Sequence, residues 1–285
     1  MVYFRYVPFF IFSSTINYIF FYKGEQHIMA FTKTKGASFQ KETDKMDFYL
    51  RSLSLHTVRN NYRTEADNAV KANLAYPDYL LRLVEQEVLS KIDRSINRKI
   101  QIAGFPQLKR IEEFDFSYQP QLDEKLIREL ASLHFLNEKK NVIFLGPPGV
   151  GKTHLAIALG VKAAQARKRV AFYSAEQITA LLAANDLSGL LGKFIDTLSR
   201  LDLLIIDELG YIELSKKTAS LFFRLIAKCY EKSSVIITSN KPFEEWGGIF
   251  QDDVVAAAIL DRLLHHSYPF FIQGKSFRMK NLMQN

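Results

Sequence analysis

A single cysteine, Cys229, stands in the whole chain. That scarcity excludes an internal disulfide framework and a cysteine-rich zinc site, and it fits a reducing cytoplasm. Flanked by Lys228 and Tyr230 in a helical pattern, Cys229 reads as a small packed side chain rather than a nucleophile. Uninterrupted apolar runs of about 20 residues, the length a membrane helix needs, are also missing. The nearest approach, "MVYFRYVPFFIFSSTINYIFFY", is broken by Pro8, Ser13, Ser14, Thr15 and Asn17. It carries one early charge, Arg5, with no small-residue cleavage site after it, so a secretory signal is disfavoured. Residues 1–28 are therefore expected to be a leader outside the fold, with Met29 opening a chain of ordinary globular character, and no membrane partner is expected.

Acids are scarce in one window. Between residues 91 and 110 the basic side chains are Lys91, Arg94, Arg98, Lys99, Lys109 and Arg110, against the lone acid Asp93. The whole chain carries a formal charge of +8 over 285 residues. Clustered cations bind polyanions by displacing their condensed counterions, so this window is a candidate surface for duplex DNA. The competing reading is a solvated helix face. Helical patterning surrounds the window. One helical region spans about 47–73, and a second opens at Pro77, a residue favoured in the first turn. In it Val84, Val88, Ile92, Ile96 and Ile100 form an apolar stripe opposite Lys91, Arg94 and Arg98. Gly104 and Pro106 end it. "FDFSYQPQLDEKLIRELASL" then reads as a join to a new unit, with Asp123 ahead of a helical repeat.

That new unit begins with "NVIFLGPPGVGKTHLAIALGVKAA", which fits G-x-x-x-x-G-K-[ST] with Gly146, Gly151, Lys152 and Thr153 in the fixed places. A loop of this kind curls backbone N–H groups around phosphates at a helix N-terminus. The residues assigned to the nucleotide are Gly146, Pro147, Pro148, Gly149, Val150, Gly151, Lys152, Thr153 and His154. Lysine reaches the β- and γ-phosphates, and the Thr153 hydroxyl is a ligand for Mg²⁺. "LDLLIIDEL" supplies a buried strand with Asp207 at its end, placed to hold the metal, and Glu208 beside it as the base for an attacking water. The intervening strand "RVAFYS" is expected to lie between these two in the sheet. "SVIITSN" places Asn240 at a strand end to meet the γ-phosphate or the water, with Thr238 and Ser239 as the alternatives, and "YPFFIQG" closes a parallel sheet. Arg262 is either a surface ion-pair member beside Asp261 or a cation reaching a neighbouring subunit's nucleotide. His265 and His266 show no third spaced ligand and read as structural or surface residues. Asp252 and Asp253 find no role.

These stretches, with "LLIIDELGY", "AAAILDRLLHHS" and "IQGKSFRMKN", resemble the IstB-like transposition helper ATPases, relatives of the DnaC-type helicase loaders. The likeness runs from about Thr43 to Asn281. It implies an α/β fold: a P-loop NTPase of the AAA+ type, with a parallel sheet flanked by helices and a small all-α N-terminal domain. The expected division is 1–28 leader, 29–110 helical DNA-binding domain and 111–285 ATPase domain. The resemblance further implies a cytoplasmic, Mg²⁺-dependent ATPase that forms ATP-bound homo-oligomers on duplex DNA and stimulates a transposase. Asn240 would act as polar sensor and Arg262 as a finger in trans. A helicase loader and a non-hydrolysing ATP switch are the alternatives, the latter opposed by the presence of Glu208. Two departures stand out: Val150 replaces a common threonine, and Phe277 sits where tyrosine is usual. No α-helical lid is expected after Lys275.

Overall fold

The computed structural model describes residues 42–274, 276 and 277; the leader lies outside them. The chain divides into two compact units that part between Glu87 and Val88.

The first unit is helical. α1 (Glu42–Ser52) and α2 (His56–Lys71) replace the one continuous helical region expected there, because Ser54 takes a left-handed φ of 54° and stops the first helix. α3 (Tyr76–Ile102) follows, with Pro77 in its first turn, and crosses the division. Its buried residues are Leu83 and Glu87, whereas Val84 and Val88 are each 48% exposed, so the expected stripe does not form one packing face. The reason is geometric: at 100° per residue a strict four-residue repeat drifts about 40° each step, and four steps spread it over about 160° of the helix. Leu55 precedes α2 and has no side chain to cap it. Glu87 performs that task from α3, accepting the N–H groups of Thr57 (2.7 Å) and Val58 (3.0 Å).

The second unit is a three-layer α/β module. After two short 3₁₀ turns come α4 (Glu124–Leu130), capped by Asp123, α5 (His134–Asn137) and strand β1 (Asn141–Leu145). The order then runs α6 (Lys152–Gln165), β2 (Val170–Ser174), α7 (Ala175–Leu187), α8 (Leu191–Leu198), β3 (Leu203–Leu209), α9 (Lys216–Cys229) and β4 (Ser234–Ser239). α10 (Trp246–Phe250), α11 (Asp253–Leu264) and β5 (Ser267–Phe271) complete it. All pairings are parallel, in the order β2-β3-β4-β1-β5. A strand does separate β1 from β3, but it is β4; β2, expected there, lies at the edge. Burial explains the exchange. All six residues of β4 are buried, as a central strand requires, while β2 leaves three of its five only half-buried.

Alternation along the strands builds a core on each side of the sheet. Ile143, Leu204, Ile206, Val235 and Ile237 pack with α7 to α11. Val142, Phe144, Leu203, Ile205 and Ile236 pack with α4, α5 and α6. Cys229 is buried in the first of these cores, and burial pushes its thiol pKa up, consistent with an inert packed side chain. Asp252, unexplained in sequence, caps α11 by accepting the N–H groups of Val254 and Val255, both at 3.0 Å. No helix among the described residues is long and apolar enough to cross a membrane.

Candidate nucleotide site

β1 delivers the chain to residues 146–151 at the carboxyl ends of the strands, where open parallel sheets form their sites. Gly146 and Gly151 show why the loop needs glycine. A Cβ on Gly146 would meet the carbonyl oxygen of Ile272, and one on Gly151, whose φ is +102°, would strike the Phe114 ring. From that left-handed residue α6 starts, and its first N–H groups face the loop. The Lys152 ammonium is buried beneath it, donating to the carbonyls of Gly146 (2.7 Å) and Pro147 (2.8 Å).

Three polar groups converge behind the loop. Thr153 Oγ1 donates to Asp207 Oδ1 at 2.9 Å, and Thr238 Oγ1 donates to the same oxygen at 2.5 Å. Burial raises the Asp207 pKa above the usual carboxylate range, against the pull of the two hydroxyls and of Lys152. Thr238 Oγ1 also accepts the Glu208 N–H at 2.9 Å, so one hydroxyl ties both acids together. Neighbouring strand residues normally face opposite sides of a sheet. Here the β3–β4 register shifts between Ile206 and Leu209 and Glu208 takes a φ of +63°, which turns its exposed side chain into the cleft. Bulges and left-handed non-glycine residues re-aim side chains in this way at a cost of about 1–3 kcal/mol.

The cleft encloses about 230 Å³. Gly149, Lys152, Thr153, Glu208, Thr238 and Asn240 line it, together with His154, Pro148 and Val150. Asn240 Oδ1 is buried there with no hydrogen-bond partner, a group that costs about 1–3 kcal/mol unless something donates to it. These residues fit a nucleoside triphosphate with a hard divalent cation: backbone N–H groups and a buried ammonium for phosphate, hydroxyl and carboxylate oxygens for the metal.

A family model for the IstB-like ATP binding protein matches residues 49–285. The chain belongs to that family. It is 43% identical to the ATP-binding protein of insertion sequence IS21 from Pseudomonas aeruginosa over 83% of this chain and 89% of that one. With the ATP-binding protein of insertion sequence IS5376 from Geobacillus stearothermophilus it shares 41% identity over 83% and 94%. Among solved structures, AMPPCP-bound DnaA from Aquifex aeolicus superposes with a TM-score of 0.51 at 23% identity, covering 64% of this chain and 55% of that one. That likeness extends to the fold: a parallel P-loop sheet flanked by helices.

In this IstB-like chain the remaining sequence-derived residues are dispersed. Arg262 does not line the cleft; it packs over the Phe223 ring, 4.6 Å from its centroid, and donates to the Ala258 carbonyl at 2.9 Å. Lys91, Arg94 and Arg98 lie exposed on α3 and Lys99 is half-buried. Lys109 lines the nucleotide cleft, and the Arg110 carbonyl bonds His154 Nε2 at 2.8 Å. The segment read as a join supplies much of the cleft wall, with Phe114, Asp115 and Tyr118 in it and Phe277 opposite, edge-on to Tyr118 at 5.3 Å. No spacing in the sequence ties residues 114–118 to a loop that begins at Gly146; the fold brings them together.

Proposed function

We propose that this IstB-like chain binds and hydrolyses ATP with Mg²⁺ in the cytoplasm, assembles with copies of itself on duplex DNA, and stimulates the transposase of its insertion sequence. The observation that carries hydrolysis is the bulge that aims Glu208 into the cleft beside Asp207. Glu208 orients and deprotonates the water that attacks the γ-phosphorus, and Asn240 Oδ1 accepts a hydrogen bond from that water. The loop N–H groups and Lys152 hold the departing phosphates. Thr153 Oγ1 and the Asp207 carboxylate would hold Mg²⁺, which would supply positive charge to offset that of the phosphates. Arg262, lying outside its own cleft, is free of that site's geometry and serves a neighbouring copy in trans.

DNA and transposase enter from the relatives, which are named for insertion sequences, and from the acid-poor window 91–110. The test is steady-state ATP hydrolysis with and without duplex DNA at two salt concentrations, beside Lys152→Ala. Stimulation that weakens with salt and disappears in the variant is the expected result. Turnover indifferent to DNA at both salts removes the DNA-dependent reading, and binding without turnover leaves the nucleotide switch.

A further inference from the structure

The sequence offers His265 and His266 no third ligand, but the fold brings one. α9 ends at Cys229, and Glu231 follows two residues later. α11 ends at Leu264, and His265 and His266 form its junction with β5. Ligating atoms of Glu231, His265 and His266 lie within 4.8 Å of one another, and all three residues are exposed. We propose that these three residues bind one first-row divalent cation of the zinc type, at a site separate from the nucleotide cleft.

Chemistry selects the ion. Two imidazoles and a carboxylate suit Zn²⁺, and Ni²⁺ or Cu²⁺ after it, whereas Mg²⁺ prefers oxygen alone. The oxygen set at Thr153 and Asp207 and the imidazole set here therefore sort different metals. The site is also partly built. Tyr230 Oη and His265 Nδ1 share a hydrogen bond of 2.7 Å, the kind of outer partner that fixes the ring of a ligating imidazole. The His266 carbonyl accepts the Asn141 N–H at 2.8 Å, which pins its backbone to β1. The two imidazole rings lie 4.1 Å apart. In a tetrahedral site with bonds of about 2.0–2.1 Å, ligand atoms stand roughly 3.4 Å apart. Rotations of the three solvent-exposed side chains would close the difference. Three protein ligands leave a fourth position for water or for a donor from another molecule. The metal would join the ends of α9 and α11, and His265 is one turn beyond Arg262, so the helix presenting that arginine would be braced.

The experiment is calorimetric titration of the full chain with Zn²⁺, without nucleotide and in buffer containing excess Mg²⁺, for the wild type, His266→Ala and Glu231→Gly. Glu231 has a φ of +58°, where glycine is at ease, so the second variant removes the ligand while favouring the fold. One equivalent per chain is expected, with affinity falling at least about tenfold in each variant. Absence of saturable binding overturns the site. So does binding that survives either substitution, since the metal would then sit elsewhere.

Discussion

Each of the two units buries a carboxylate, and they put it to opposite uses. Glu87 in the helical unit is 2% exposed, and Asp207 in the sheet module is 5% exposed. The partners of Glu87 include two backbone N–H groups at the start of α2, donors fixed by the helix itself. Those of Asp207 include the hydroxyls of Thr153 and Thr238, which rotate and can be exchanged for a metal or for water. Burial alone marks neither as functional. What distinguishes them is whether the partners are fixed or exchangeable, and Asp207 stands next to the exposed Glu208 in a cleft with an unmatched acceptor, while Glu87 completes a helix.

The largest effect tests the reactive side of this contrast. Glu208→Gln keeps the size and the backbone bond to Thr238 but removes the base. Turnover is expected to fall by about 10²–10⁴-fold, with ATP affinity, measured by a fluorescent nucleotide, almost unchanged. Equal losses in binding and turnover would make Glu208 a binding residue, and the sheet module would then owe its chemistry to something other than the acid pair.

Glu87→Ala tests the structural side. It strips the N-terminus of α2 of its acceptor, since Leu55 cannot replace it, and leaves a void at a buried position. Losing a buried, charge-assisted partner of this kind costs about 1–3 kcal/mol. Hydrogen exchange should show α2 opening more readily, while nucleotide binding in the sheet module is retained. Undiminished protection of the α2 amides would mean that solvent caps the helix as well as Glu87 does.

The same contrast governs what could be read in advance. The phosphate loop, Asp207 with Glu208, and Asn240 were legible because each packs its chemistry into adjacent residues whose spacing is fixed by one strand and one turn. Order across the sheet was not, because β4 and β2 are both short apolar runs, and what places β4 centrally is burial on both faces by distant helices. Nothing in the sequence marks Glu87, since the orphan N–H groups it serves are 29 and 30 residues away. The aromatic wall around Phe114 and Tyr118, and the third neighbour of His265 and His266, were hidden for the same reason: proximity is made by the fold and not by spacing.

The smallest predicted effect is also the one that sets the two carboxylates most directly against each other. Burial raises the Asp207 pKa, so the folded protein holds that proton to a higher pH than the unfolded chain does. Between the unfolded and folded pKa values the native state binds more protons, and its stability falls as pH rises through that interval. Above the folded pKa the group is charged and the cost is complete. Asp207→Asn keeps an oxygen for Thr153 and Thr238 and has no charge to bury. Without nucleotide, its Tm should exceed that of the wild type by about 2–4 °C, the shift that roughly 1 kcal/mol produces in a domain of this size. That advantage should shrink as the pH is lowered from the raised folded pKa to the ordinary carboxylate value, below which both side chains are neutral. Glu87→Ala moves the other way at neutral pH. If Asp207→Asn is instead destabilising there, the hydroxyls and Lys152 compensate the buried charge in full, and Asp207 is a structural acid of the same kind as Glu87.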